Sequence, residues 1–279
     1  MSWLNSDGKL LIGKKISDAF DWLIDTFGDF FDILETVLSG IIDGVLALLQ
    51  FPPALVMVAL FAGLTWVIQK DWKRVVLVVL CFLYVINQGY WEETTESLTL
   101  ILFAGLFCMG VGVPIGIYAA HRPKFFQAIL PVLDMMQTIP TFVYLIPMIV
   151  LFGIGMVPGL VATFIFVLPA PIRLTQLGVS QVPDALTEAA RAFGATSRQT
   201  LWKVELPYAF PQIMTGLNQT IMLSLSMVVI AGMVGADGLG VPVVRALNTV
   251  NAPLGFESGI VIVAVAIALD RMLRVETDQ

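Results

Sequence analysis

Charge is what this chain has least of. Only 13% of its 279 residues are Asp, Glu, Lys or Arg, against 58% hydrophobic, and the mean hydropathy is +0.89. Soluble domains carry about 25% charged residues, so an ordinary soluble fold is excluded. Histidine occurs once, as His121 in the basic turn His121-Arg122-Pro123-Lys124, with no metal-ligand spacing around it. It is expected as a solvated interfacial imidazole rather than a ligand. The two cysteines, Cys81 and Cys108, sit inside apolar runs and read as small hydrophobes, not as a disulfide framework. No H-E-x-x-H occurs, and no other catalytic cluster that a membrane-embedded enzyme would need. The chain also lacks G-x-x-x-x-G-K-[ST], so it cannot itself cradle ATP, and no metal or other cofactor of its own is expected. A net charge of -6 argues against a nucleic-acid partner. No basic segment precedes a short apolar core at the N-terminus, so a cleaved signal peptide is not expected.

What is present is apolar length. Hydrophobic windows predict about seven membrane crossings, near 53–69, 75–90, 98–119, 137–153, 159–177, 211–234 and 257–272. The second has the shortest apolar core. Lys70, Lys73, Arg74, Arg122, Lys124, Arg173, Arg191, Arg198, Lys203, Arg271 and Arg274 all fall on one side of these crossings. The positive-inside rule makes that side cytoplasmic, with the N-terminus outside and the C-terminus inside. The opposite loops hold Glu92, Glu93, Glu96 and Asp237, with Arg245 their one basic residue. Lys9, Lys14 and Lys15 dissent, but they lie too far from the first crossing to weigh heavily.

The segment 1–52 is of another kind. Asp18, Asp21, Asp25, Asp29, Asp32 and Glu35 step at three and four, opposite Ile16, Phe20, Leu23, Phe27, Phe31, Leu34 and Leu38. That pattern predicts an amphipathic helix too polar to span and without the basic face that binds anionic lipid. It is expected to lie on the outer surface and brace the bundle. Two peripheral crossings and a loop follow over 53–97, and the core runs over 98–275.

Within that core a polar break at 178–208 carries the most information. Glu188-Ala-Ala-Arg-Ala-Phe-Gly194 is followed after nine residues by Val204-Glu-Leu-Pro207, which reads E-A-A-x3-G-x9-V-x-L-P. Pro183 suits a first helical turn, Asp184 and Glu188 favour its positive end, and Gly194 is a natural stop. Leu186, Ala189, Ala190 and Phe193 make one apolar stripe. Thr196 with Gln199 is a capping-box signature that restarts a helix, and Pro207 closes it. The two alanines allow a close approach by another surface, while Glu188 and Arg191 stand at i, i+3. An amphipathic interfacial helix joining two spans would fit any one of these residues as well. The whole spaced motif resembles the cytoplasmic coupling loop of bacterial ABC-importer permeases, with Val204 where that pattern usually carries Ile.

Further stretches sharpen the resemblance. Asp134-Met-Met-Gln-Thr-Ile-Pro-Thr-Phe142, Leu151-Phe-Gly-Ile-Gly155, Gly235-Ala-Asp-Gly-Leu-Gly240 and Ala268-Leu-Asp-Arg271 resemble the permease subunit of glycine betaine, proline and choline importers, over roughly 88 to 274. The resemblance implies an all-α, type I ABC-importer permease working beside a second copy of itself in the bacterial inner membrane. It implies ATPase subunits below, holding ATP and Mg, and an extracytoplasmic substrate-binding protein above. The ATPase-coupling residues it implies are Glu188, Ala189, Ala190, Phe193, Gly194, Leu206 and Pro207. Candidates for the translocation pathway are the uncharged polar residues Gln137, Thr138, Asn218, Gln219, Ser224 and Ser226, for which helix–helix hydrogen bonding is an equal account. Asp134, Arg173 and Asp270 are expected in structural ion pairs or snorkelling at span ends. Tyr90, Trp91, Phe142 and Tyr144 could face a quaternary ammonium group, though packing or an aromatic belt explains each. The competing class is an ion-driven secondary transporter, but neither an inverted repeat nor matched broken helices are visible.

Overall fold

The computed structural model describes residues 12–273, and every regular element among them is helical. Residues 1–11, Lys9 and Arg274 lie outside the described residues, as does the side chain of Ile16. The helices are α1 (Ile12–Gln50), α2 (Ala54–Gln69), α3 (Trp72–Asn87), α4 (Trp91–His121), α5 (Pro123–Thr138), α6 (Thr141–Phe152) and α7 (Met156–Val167). There follow α8 (Pro169–Ser180), α9 (Asp184–Ala192), α10 (Ser197–Thr200), a π-turn (Leu201–Glu205), α11 (Leu206–Ala231), α12 (Gly240–Asn248) and α13 (Ala252–Leu273).

Each predicted window falls on a helix or a helix pair, but not every one is a span by itself. Four continuous helical stretches are long and apolar enough: α4, α7 with α8, 197–234, and α13. Two bent pairs raise the number to six: α1 with α2 at 96°, and α5 with α6 at 92°. At 16 residues, α3 is not among them, in line with its short apolar core. The α5–α6 break follows from Pro140, which removes a ladder donor and holds Ile139 extended at ψ 130°.

Side-chain bonds fix which loops share an end. The Gln69 amide donates to the Met272 carbonyl at 2.8 Å, joining the C-terminal ends of α2 and α13. At the other end the Leu239 N–H donates to Ser97 Oγ at 2.9 Å, and the Gly155 N–H to the Val234 carbonyl at 3.1 Å. There α1 also closes onto α4, through the Gln50 amide and Thr95 Oγ1 at 3.0 Å. Glu92, Glu93, Glu96, Asp237 and Arg245 line one cavity of about 210 Å³ at this acidic end.

The centre is held by close approach. In lipid no hydrophobic force draws helices together, so small residues and packing must do it. Gly112 and Gly116 of α4 are spaced G-x-x-x-G against α8, where an added Cβ would stand 2.7 Å from Pro171 Cγ and 2.6 Å from Thr175 Cβ. Gly178 meets α11 in the same way, 2.8 Å from Gln212 Cβ. Buried hydroxyls of α4 bond within their own helix, whereas Thr175 Oγ1 of α8 is buried without a partner. Thr94 donates to the Tyr90 carbonyl at 2.6 Å and Thr99 to the Thr95 carbonyl at 2.8 Å, so α4 can bury them without cross-helix partners. The acidic face of α1 is exposed from Asp18 to Asp32, while Phe20, Leu23, Phe31, Leu34 and Leu38 are half-buried. Phe31 stacks edge-on against Phe152 of α6, and Phe27 interrupts the helix at φ -124°, leaving its own ring exposed.

Candidate functional site: the capped loop between α8 and α11

The polar break folds as two helical arms joined by a left-handed glycine. Helix α9 opens after Pro183, which stands just outside it as an extended N-cap (ψ 132°) rather than in its first turn. It closes on Gly194 at φ +79°. The Gly194 N–H donates to the Arg191 carbonyl at 2.9 Å, and the Ala195 N–H to the Ala190 carbonyl at 3.0 Å. This is the two-bond Schellman closure, which needs a positive φ that glycine adopts without penalty. Two residues later Thr196 caps α10. The Gln199 N–H donates to Thr196 Oγ1 at 3.3 Å, and the Thr196 N–H donates back to Gln199 Oε1 at 2.8 Å.

Past α10 the ladder widens into the π-turn, closed by the Leu206 N–H on the Leu201 carbonyl. Pro207 is the physical cause: it has no N–H for the carbonyl of Lys203 and its ring would collide with it. The proline predicted to close a helix therefore stands at the start of α11 instead. Leu206 is half-buried and Pro207 exposed.

The apolar stripe of α9 has nothing on it. Phe193 is 92% exposed, Leu186 is 45% exposed, Ala189 is exposed and Ala190 half-buried. Glu188 and Arg191 are also exposed, and among the described residues neither takes part in an ion pair. The loop is held by its caps, not by that pair.

His121 differs from expectation. Its ring is exposed, but Nε2 lies 2.8 Å from Glu205 Oε2 and Nδ1 lies 2.8 Å from the Ile117 carbonyl. Glu205 is the unspecified residue of V-x-L-P, and the π-turn buries it to 7% exposure. Sequence spacing offers no signal for a contact between residues 84 positions apart; a lone histidine in a membrane chain was the one available cue.

The pathway candidates divide between two regions. Gln137 is half-buried and Thr138 exposed at the α5–α6 break, with the Thr138 hydroxyl donating to the Met135 carbonyl at 3.3 Å. On α11, Gln219 and Ser226 are exposed on one face together with Thr215. Ser224 is fully buried and donates to the Thr220 carbonyl at 2.8 Å. The Asn218 amide donates to Asp270 Oδ1 at 3.0 Å, tying α11 to α13, while its own Oδ1 is buried without a partner. Asp134 and Arg173 pair at 2.6 Å, and Asp270 lies 3.8 Å from Arg271. Of the aromatics, Trp91 packs edge-on against Phe82, and the Tyr144 hydroxyl donates to the Met136 carbonyl at 2.8 Å. Phe142 is 53% exposed. Burial, and then a hydrogen bond with Glu257, pushes the Tyr90 phenol up to about 12, so it stays a donor at any physiological pH.

A bundle of apolar helices with a capped, amphipathic hairpin at its basic end fits a membrane transport component. The model of the binding-protein-dependent transport system inner membrane component family matches residues 112–274, and the chain belongs to that family. It is 46% identical over 92% of its length to the glycine betaine transport system permease protein OpuAB of Bacillus subtilis (strain 168), covering 91% of that protein. It is 45% identical over 92% of its length to the glycine betaine/carnitine transport permease protein GbuB of Listeria monocytogenes, covering 93% of it. A chain of the methionine ABC transporter MetNI, solved in an inward-facing conformation, superposes with a TM-score of 0.56 at 27% identity. That match covers 64% of this chain and 92% of the other. The fold is thus that of an ABC-importer permease, and the chain is a multi-pass component of the bacterial inner membrane.

Proposed function

We propose that this chain forms the translocation pathway of an ATP-driven importer for glycine betaine or a related quaternary ammonium solute. In this reading α9 is the surface that docks into a separate ATPase, and it faces the cytoplasm. The carrying observation is the bare apolar stripe of α9, with Phe193 92% exposed where the Gly194 closure of α9 meets the Thr196 cap of α10. An apolar stripe that carries a ring of that size on a fixed arm supports reading α9 as an interaction surface. Glu188, Ala189, Ala190, Phe193, Gly194, Leu206 and Pro207 are the proposed coupling residues. The alanines set the close approach and Gly194 the angle between the arms.

The proposed assembly has two copies of this chain, two ATPase subunits with ATP and Mg, and an extracytoplasmic binding protein. Thr215, Gln219 and Ser226 favour pairing along α11, since three exposed polar residues on one face are poorly matched to lipid. Gln219 and Ser226, with Gln137 and Thr138 at the broken α5–α6 pair, are the better placed pathway residues. Ser224 and Asn218 support helix packing as readily. Domain boundaries follow the same reading: a brace at 1–52, peripheral helices at 53–97 and the permease core at 98–275. The test is uptake of labelled glycine betaine, carnitine and choline into proteoliposomes holding permease, ATPase and binding protein. Uptake of at least one that needs ATP is expected. Uptake that persists without ATP under a sodium or proton gradient would overturn the proposal.

A further inference from the structure

The loop between α8 and α11 has two covalent exits into the bundle, one through each helix. A third attachment is made without a peptide bond. Glu205, the last residue of the π-turn, reaches His121, the last residue of α4, at 2.8 Å. The ring is anchored in turn, because Nδ1 lies 2.8 Å from the Ile117 carbonyl one turn back. A carbonyl only accepts, so Nδ1 donates. Oε2 has no partner of good hydrogen-bond geometry, which makes this a close contact rather than a linear bond. The charged residues on the surrounding elements are Arg122 on the turn, Lys124 and Asp134 on α5, Lys203 in the π-turn, Arg198 on α10, Asp184, Glu188 and Arg191 on α9, and Arg173 on α8. Among the described residues none of them forms an ion pair with either group.

Burial makes the contact unequal. The Glu205 side chain is 9% exposed and that of His121 47%. A carboxylate so enclosed is costly without its partner, whereas the ring can turn to water. Immediately after His121 the chain passes Arg122 and Pro123 into α5, the helix that ends at the break beside Gln137 and Thr138. Whatever moves Glu205 therefore pulls on the α4–α5 turn as well as on α11.

We propose that His121 and Glu205 are positioning residues for coupling, a clamp that passes displacement of the α9–α10 hairpin to α4 and α5. This rests on the reading of α9 as the docking surface. The measurement is solute imported per ATP hydrolysed, in proteoliposomes of the full complex. The variants are His121→Ala, Glu205→Ala, the double variant, His121→Gln, and the exchange His121→Glu with Glu205→His. His121→Ala is expected to lower the ratio by about fivefold or more, because it strands the buried carboxylate. The double variant should do better than His121→Ala alone. His121→Gln, which keeps a donor at a half-exposed site, and the exchanged pair should each recover most of the ratio. A normal ratio in His121→Ala, or a double variant whose loss is the product of the two single losses, would overturn the clamp. ATPase that still copurifies with Phe193→Asp would overturn the docking reading beneath it, and that result is read separately from the ratio.

Discussion

Gly194 carries more of the loop's geometry than any other residue. Its φ of +79° lets two N–H groups close α9 while the chain turns into the Thr196 cap. A β-branched side chain resists that region. Gly194→Val is expected to insert in the membrane at near wild-type yield, yet lose most ATP-dependent uptake or release the ATPase. Copurification and uptake from the same preparation check this, and normal uptake with the ATPase bound would refute the account of the loop. Gly116 acts on the bundle itself. An added Cβ there meets the Ile172 carbonyl at 2.7 Å, and that backbone cannot step aside as a side-chain tip could. Gly116→Val should therefore cost about 1–3 kcal/mol, read as a lower thermal midpoint of the detergent-solubilised protein. At this scale the sequence was legible where one residue type has one physical use. Gly194, Thr196 and Gln199 were foreseen in their roles because caps are local. The Glu188–Arg191 pair was foreseen as spacing and is absent, since exposed charges gain too little from pairing to be held. The partner of His121 was not foreseen, because nothing local encodes a contact between the end of one span and the start of another.

Among the elements, the π-turn is the one that sequence pattern misplaced. Periodicity through Leu201–Glu205 reads as continuous helix, and Pro207 reads as its end. In the folded chain the proline is absorbed by widening one turn, and the extra residue swings Glu205 inward. Pro207→Ala restores the missing N–H and allows an ordinary ladder. One residue fewer in the turn rotates Glu205 by about 100° away from His121. The expected result is a fall in solute imported per ATP similar to that of His121→Ala, with the ATPase still attached. An unchanged ratio would show that the widened turn has no part in transmission. Each predicted window falls on helix because apolar length is a property of each segment alone, but about seven crossings become four candidate spans, or six if each bent pair is one. Their continuity is read less well, since hydropathy alone does not weigh the break that Pro140 imposes or the 16 residues of α3.

For the molecule as a whole, most of the basic residues and the capped hairpin occupy one end and the acidic cavity, with Arg245, the other. His121–Glu205 and Gln69–Met272 fasten the first, Leu239–Ser97 and Gln50–Thr95 the second. The orientation proposed from basic-residue placement makes a direct prediction. With Cys81 and Cys108 replaced, a cysteine at Ser197 should resist a membrane-impermeant thiol reagent in intact cells and react in inverted vesicles. A cysteine at Val250, 89% exposed at the other end, should do the reverse. Labelling of the Ser197 position from outside would invert the whole assignment. Net charge and composition gave the class of molecule early, whereas the arrangement of α4, α8 and α11 rests on glycine contacts that appear only once the helices are packed.

The bare face of α9 also has a consequence for the life of the polypeptide in the cell. A permease made without its ATPase would hold Phe193 and Leu186 out to chaperones and proteases on a helix whose C-terminal end is fixed by the Gly194 closure. If α9 docks the ATPase as proposed, supply of that subunit is expected to govern how long each new permease survives. Pulse-chase in cells expressing the permease alone should give a shorter half-life than with the ATPase co-expressed. Phe193→Ser should lengthen the half-life of the lone chain while leaving the assembled one with little hold on its partner.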